Sequence, residues 1–478
     1  MRKIERYYDL LNSFIPFVVI VIVVLIVYAN SLNGDFQFDD YNVIVFNPRI
    51  HSLGAWWQDA GSGIRQLLKL TYTLNWIISI KPWGFHFFNV ICHVINSFLI
   101  FFLTKRFTLN TTVAFVTGIF FAVHPVQTES VTYISGRSSS LMAVFYLASL
   151  MTYARIVKPY PWQDKWVFLS VLFFFMAILV KETALSLPLI LILWDVTNTY
   201  KGLNLYEMVK RQAFHWILFF SSLLFFLLFT RYSRLVAYSM NIRSIKLNLL
   251  SQLNGIADTV SHYFLLNRLN IDPQHPIISS WNLSVFLELI FLCIIILTGI
   301  FSLMPLIKKD RRKDPETLTI YRLLAFAIFW FIIQLLPVST FIPRIDIINE
   351  RHFYLAGWSI FLLSAAGILF MFKKIKKIIP LWVSVAILTT ILSSYTIARN
   401  HVYRDEISLW EDTVRKSPNK ARVYNNLGYA YFIAGRYEDA RRAYIRALEI
   451  DSNFTLARNN LEMLYKSAFP KVLNKQDN

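Results

Sequence analysis

About eleven apolar runs, each long enough or nearly long enough to cross a bilayer, recur between Phe14 and Ile397. In hydrocarbon the backbone N–H and C=O groups of such a run must be satisfied within the segment, so the runs are read as helices. They fall at 14–29, 86–104, 111–127, 139–156, 165–180, 183–196, 212–230, 282–303, 320–338, 352–372 and 378–397. The expected fold is all-α: a polytopic membrane helical bundle over 1–398, followed by a helical tail over 399–478.

Composition agrees. Of 478 residues 56% are hydrophobic, mean hydropathy is +0.46, and 41 Phe, 24 Tyr and 13 Trp suit lipid-facing surfaces and interfacial belts. The formal charge of +19 does not point to nucleic acid, because much of it lies in short loops between apolar runs. Cys92 and Cys293 both lie inside apolar runs, so no disulfide framework is indicated. The first run follows Arg2, Lys3 and Arg6 without a small-residue cleavage site and reads as a signal anchor.

Basic residues set the expected topology. Arg2, Lys3 and Arg6, then Lys105-Arg106, Arg155, Lys158 and Lys165, Lys201, Lys210 and Arg211, Lys308-Lys309 with Arg311-Arg312-Lys313, and Lys373-Lys374 with Lys376-Lys377 all fall on one side, the cytoplasmic one. The other side receives 30–85, 124–138, Lys181-Glu182, 231–281, 339–351 and the tail. Within 30–85, Trp56-Trp57, Trp76 and Trp83 accompany Leu67 to Ile80, apolar enough for a helix lying in the interface. The stretch 231–281 carries Arg231, Arg234, Arg243, Lys246 and Arg268 in a mixed composition that assigns it no fold.

The tail is repetitive. Tyr424, Leu427, Gly428, Tyr431, Ala440, Tyr444 and Ala447 have the spacing of one tetratricopeptide repeat across Ala421 to Ser452. Trp410 and Pro418 fit a preceding half-repeat, and Leu461 and Tyr465 a following helix. A lone repeat is marginal, so these flanking helices are expected to complete its core.

The residues that could carry chemistry gather on the non-cytoplasmic side. Asp39-Asp40 follow the first run closely, where a carboxylate can meet one substrate from lipid and another from water; a helix-capping pair is the plain alternative. His124, Glu129 and Arg137 lie in one polar turn and could bind a phosphate or sugar, or hold the base; a helix ended by His-Pro is the alternative. Lys181 could contact a lipid phosphate, with Glu182 beside it, or the two could form an interfacial ion pair. Arg351 offers a planar fork for phosphate oxygens that Glu350 could orient, against a charged first turn of a helix. Arg65 is a further phosphate candidate. No phosphate-binding loop, dinucleotide pattern or clustered Cys/His site occurs, so no metal or cofactor is expected and the donor should arrive already activated.

Taken in order, Phe38-Asp39-Asp40-Tyr41, Arg65-Gln66-Leu67, His124-Pro125-Val126-Gln127-Thr128-Glu129-Ser130-Val131, Gly136-Arg137, Lys181-Glu182, Glu350-Arg351-His352-Phe353-Tyr354-Leu355 and the repeat tail resemble the GT-C superfamily of membrane glycosyltransferases. The resemblance is closest to the transmembrane and tetratricopeptide-repeat O-mannosyltransferase-like group. It implies transfer of a sugar from a polyprenyl-phosphate carrier to an acceptor hydroxyl on the periplasmic or lumenal side, with inversion and without a metal. By carry-over Asp40 is the base, with Asp39 the alternative. Arg351, Lys181, Arg137 and Arg65 are carrier-phosphate residues, and His124, Glu129, Glu182 and Glu350 shape the pocket. The chain departs from the group in having one repeat with partial neighbours, and in showing Arg65-Gln66 where relatives usually show Arg-Pro. Its shortness resembles a bacterial member, which implies the inner membrane with the tail in the periplasm. The implied partners are the lipid-linked sugar, a protein or glycan acceptor, and a protein bound by the tail, with no nucleic acid. Two rival classes are a transporter of lipid-linked intermediates and a membrane-anchored repeat scaffold without catalysis. An enzyme should bring Asp40, Arg351 and Lys181 into one cavity, which neither rival requires.

Overall fold

A computed structural model describes residues 2–61, 64–156, 164–198, 205–229, 232–308, 314–375 and 378–468. Among them there is no strand, and twenty α-helices follow one another. Lys158, Lys201, Arg231, Lys309, Arg311, Arg312, Lys313, Lys376 and Lys377, used above to read topology or loop character, lie outside the described residues.

The bundle comprises α1 (Arg2–Val27), α4 (Pro82–Thr108), α5 (Thr111–Val123), α7 (Arg137–Tyr153), α8 (Lys165–Val180), α9 (Leu187–Asn198), α10 (Leu205–Phe229), α13 (Leu283–Ile307), α14 (Pro315–Leu335), α15 (Phe353–Ile375) and α16 (Ile378–Val402). Each of the eleven apolar runs is thus helical. Seven stretches are long and apolar enough to cross a membrane, or eight if the pair Thr111–Val123 and Pro125–Val131, bent by 54°, is one broken span. The expected eleven spans are not all of crossing length. The helices α5, α7, α8 and α9 have 13, 17, 16 and 12 residues, or about 18 to 26 Å at 1.5 Å per residue against roughly 30 Å of hydrocarbon. Among them α5, α7 and α9 are largely buried, packed on α4, α14 and α15, whereas α8 packs on α7 and leaves Phe168, Leu172 and Phe175 exposed.

Short helices fill the connections. Among them, α2 (Leu53–Ala60) and α3 (Gln66–Ile78) follow α1, and α6 (Thr128–Val131) follows the bend at His124-Pro125. The stretch that composition left unassigned contains α11 (Tyr232–Met240) and α12 (Ile245–His262). Side-chain caps start several helices: Asn110 accepts from Thr112 N and Val113 N, and Asn282 from Val285 N. The bundle's core is aromatic, with Trp330 and Trp358 edge-to-face at 4.5 Å. Several of its buried polar groups pair with one another: His93 with the Tyr354 hydroxyl at 2.7 Å, and the Trp358 indole N–H to Thr104 at 2.8 Å.

The tail is α17 (Glu406–Lys416), α18 (Ala421–Ile433), α19 (Tyr437–Ile450) and α20 (Thr455–Ala468). Gly428 is required where α18 meets α19, since a Cβ there would lie 2.6 Å from the Tyr444 ring. The Tyr444 ring fills that gap, and Leu464 of α20 closes the far side of the same small core. The helices on either side of the repeat therefore supply the burial that a lone repeat lacks. The tail does not hang free. Asp272 holds Lys420 at 2.5 Å and Arg422 at 2.8 Å, and Asp346 takes Arg422 at 2.6 Å. Asn400, near the end of α16, donates to Val27 O and accepts from Thr132, tying α1, α6 and α16 together beneath the tail.

Candidate active site

Two turns build the site. The first, 33–41, leaves α1 and folds against the tail. His86 meets Gly34 O at 3.1 Å, Asp35 N donates to Arg404 O, and the Gln37 carboxamide donates to Tyr403 O. Phe38 takes a left-handed backbone conformation, φ 50°. That conformation is unusual for a residue with a Cβ and redirects the chain into the helical turn that carries Asp39 and Asp40. The second turn, 132–137, lies under the first. Gly136 permits it, because a Cβ there would sit 2.0 Å from Glu129 O. This is the physical content of the Gly136-Arg137 pair: the close turn sets Ser135 beneath the aspartates.

The two carboxylates have different surroundings. Asp40 is 1% exposed. One oxygen accepts from the Ser135 N–H at 2.8 Å and from the Ser135 hydroxyl, and the other accepts from Gln37 N–H at 3.1 Å. Burial pushes its pKa up to about 7 against the pull of those hydrogen bonds. The Asp39 side chain is 40% exposed; its N–H donates to the Tyr133 hydroxyl, and its carboxylate stands 3.8 Å from the Arg351 guanidinium.

Arg351 links this carboxylate to a recess. Its Nε lies 3.3 Å from Glu129, which also accepts from the Arg351 N–H, and 3.0 Å from Asn349. Arg351 then lines a narrow cavity with Ser139, Lys181, Gln334 and His352. Lys181 is buried there and donates to Ser139 at 2.8 Å. Burial first, then the neighbouring Arg65 and Arg351, hold its pKa well below the ordinary lysine range. Arg65, itself left-handed at φ 60°, clamps Glu182 with two bonds of 3.0 and 2.7 Å. Burial raises the Glu182 carboxyl, but Arg65 overcomes that and brings it down to about 2. Arg65, Arg351 and Arg344 thus all act on Lys181, Arg65 and Arg351 being paired with Glu182 and Glu129, and Arg351 is the cation that reaches Asp39.

Several expected residues stand elsewhere. Arg137 is wholly buried, donating to Asn89 at 2.8 Å and Phe85 O at 3.0 Å, with the Tyr72 ring 4.6 Å from its guanidinium. It ties α4 to α7 and does not open on the recess. His124 accepts from Val126 N–H through one nitrogen and meets Tyr263 O through the other, so it locks the bend after α5. Glu350 does not orient Arg351. It pairs with Arg399 at 2.8 Å and accepts from Asn270 N–H, while Glu129 takes the orienting position. The expected trio of Asp40, Arg351 and Lys181 does not share one cavity: Arg351 and Lys181 line the recess, Asp40 is buried on Ser135 and Gln37 outside it, and Asp39 meets Arg351 from beyond the recess lining. Ser135, Ser139, Tyr133 and His352 are members that pattern reading did not single out. Ser135 and Ser139 flank the Gly136-Arg137 pair, and that adjacency was the only signal in the sequence. Among the described residues no three His, Cys, Asp or Glu side chains gather as a metal site.

A tetratricopeptide repeat model matches residues 421–454. Over most of its length the chain is similar to protein O-mannosyl-transferases. It is 26% identical to TMTC3 of Homo sapiens over 94% of this chain and 53% of that protein. It is 26% identical to F38B6.6 of Caenorhabditis elegans over 90% and 62%, and 24% identical to TMTC4 of Homo sapiens over 88% and 64%. The chain spans about half the length of the TMTC3 relatives it matches. No solved structure matches it. Its relatives are therefore O-mannosyl-transferases of the TMTC group, and its several long apolar helices fit a multi-pass membrane protein.

Proposed function

We propose that this chain transfers a sugar, mannose by analogy with its relatives' names, from a polyprenyl-phosphate carrier to a hydroxyl of a protein acceptor, with inversion. The observation that carries the reading is the Arg351 guanidinium, which faces the exposed Asp39 carboxylate on one side and shares a cationic recess with Lys181 on the other. Asp39 rather than Asp40 is the base: it is the aspartate an acceptor hydroxyl can reach. Asp39 takes the hydroxyl proton as the oxygen attacks the anomeric carbon from the face opposite the phosphate. The carbon–phosphate-oxygen bond breaks, and the charge left on the phosphate is met by Arg351, Lys181 and Arg65. Glu129 fixes the Arg351 fork. Glu182 holds Arg65.

The carrier's hydrocarbon fits an apolar groove between α12, α13, α14 and α15, lined by Ile256, Phe291, Ile295, Phe331 and Ile360. Leu335 lines this groove and its neighbour Gln334 lines the recess, so the two lie on adjacent faces at the same end of α14. In the described residues, Lys105, Arg106, Arg155, Lys210 and Lys373 lie on helix ends away from Asp39. By the basic-loop rule that end is cytoplasmic and Asp39 faces the periplasm or lumen, with the tail on the same side. A bacterial inner membrane is the setting we infer.

The test is transfer of labelled mannose from mannosyl phosphopolyprenol to Ser/Thr-containing peptides in membranes carrying the chain. Transfer that depends on Asp39 is expected. A chain that instead moves the intact lipid-linked sugar between leaflets, with no product on peptide, would overturn the reading in favour of a transporter.

A further inference from the structure

The loop that presents Asp39 is fastened to the tail as well as to the membrane helices. Phe38 N–H, one residue before Asp39, donates to the Glu406 carboxylate at 2.5 Å. The other oxygen of Glu406 accepts from the Trp410 indole N–H at 2.5 Å, and the Trp410 ring meets the Phe38 ring edge-on at 5.1 Å. Glu406 and Trp410 thus grip Phe38 by backbone and side chain at the left-handed residue from which the helical turn carrying Asp39 and Asp40 starts. The turn ahead of α17 adds two further holds, Arg404 O for Asp35 N–H and Tyr403 O for Gln37. Asp405 caps α17 by accepting from Ser408 N–H at 2.8 Å, so Glu406 is presented from the first turn of an ordered helix. Trp410 is fully buried between this loop and the repeat, in one cluster with Tyr133, Leu409, Val423 and Leu427. Tyr133 is also the residue whose hydroxyl accepts from Asp39 N–H. The repeat's first helix and the base loop therefore share a single small core.

We infer that the tail is a working part of the catalytic centre: Glu406, steadied by Trp410, is a positioning residue that holds Phe38 left-handed and so aims Asp39 at the acceptor. This rests on the reading of Asp39 as the base. It also makes the repeat more than a docking appendage, because any partner that shifts α17 or α18 moves the loop carrying the base. A backbone displacement on the scale of an ångström is enough to lower turnover by as much as two orders of magnitude when a general base must be aligned.

The experiment uses the full chain with Glu406→Ala, Glu406→Gln and, as a surface control, Arg446→Ala. Two quantities are read: deuterium uptake of the 35–46 peptide, and kcat and KM for mannosyl phosphopolyprenol with a Ser/Thr peptide. Glu406→Ala should raise uptake over 35–46 with no rise in α7, and should lower kcat about ten-fold or more with KM for the donor little changed. Glu406→Gln keeps one acceptor oxygen for Phe38 N–H while its NH2 faces the Trp410 indole N–H, so it should restore part of both. Arg446→Ala should change neither. Unchanged uptake in Glu406→Ala overturns the positioning role. Raised uptake with unchanged kcat overturns its link to catalysis. A uniform rise across α7 and α19 would show general unfolding, and it overturns the proposal if Glu406→Gln behaves identically. If the unaltered chain transfers nothing, the transferase reading fails by itself, while the uptake of 35–46 still decides whether the tail holds the loop.

Discussion

Replacing Asp39 and Asp40 one at a time by Asn should give opposite patterns of stability and activity. Asp40 accepts from Ser135 N–H, the Ser135 hydroxyl and Gln37 N–H inside the protein. An Asn carboxamide has one acceptor oxygen and one donor nitrogen. Whichever way it turns, its NH2 faces either Gln37 N–H or Ser135 N–H, and one buried donor loses its partner at a cost of about 1–3 kcal/mol. Relief from burying a charge offsets part of this, so Asp40→Asn should destabilise by roughly 1–2 kcal/mol and lower turnover about ten-fold or less, through the loop. Asp39 is half-exposed and its contact with Arg351 is 3.8 Å. A half-exposed pair at this distance, with Arg351 also held by Glu129, contributes about 1 kcal/mol at most, so Asp39→Asn should leave the melting temperature nearly unchanged. Removing a general base should lower turnover by about 10²- to 10⁴-fold. The assay pairs thermal unfolding in detergent with labelled-mannose transfer in membranes. Full transfer by Asp39→Asn, or complete loss in Asp40→Asn at unaltered melting temperature, would refute the assignment.

Other consequences concern charge and packing. Burial raises the Asp40 carboxyl from its ordinary value of 3.8 to about 7, so the folded state binds a proton the unfolded chain has released. Its contribution to stability is therefore full below about pH 4 and is lost as pH rises through about 7. Asp40→Asn should flatten that part of the stability–pH curve, and an unchanged slope would contradict it. Arg351→Lys keeps a charge but not the fork held by Glu129 and Asn349. Transfer should fall about 10²-fold, mainly in kcat, with Arg351→Ala lower still. Gly136→Ala brings a methyl to 2.0 Å from Glu129 O. Because backbone must yield, it should destabilise by about 1–3 kcal/mol, and more if the turn cannot shift; a neutral melting temperature would refute the close approach as a constraint on the turn.

Much of this molecule follows from periodicity and composition. Eleven apolar runs are eleven helices, and the small and large residues of 421–454 are a repeat, because hydrophobic period and residue size act locally along the chain. The motifs Asp39-Asp40, Lys181-Glu182 and Glu350-Arg351 were visible as charges that a membrane segment does not need. Their division of labour was not. Asp39 and Asp40 are chemically identical neighbours, and only Ser135, reached through the Gly136 turn some ninety-five residues on, makes one buried and leaves the other open. Arg137 and Arg351 look equally suited to a phosphate, yet Asn89 and Phe85 O take the first inside the bundle and Glu129 aims the second at the recess. Glu182 finds Arg65 across 117 residues instead of its neighbour Lys181. Nor does sequence spacing reveal that Glu406 of the tail grips Phe38. The sequence alone determined which segments are helical and which residues carry charge, since both are properties of short stretches. Tertiary structure decided which charges are buried and which partners they meet, because desolvation and pairing depend on contacts between residues far apart in the chain.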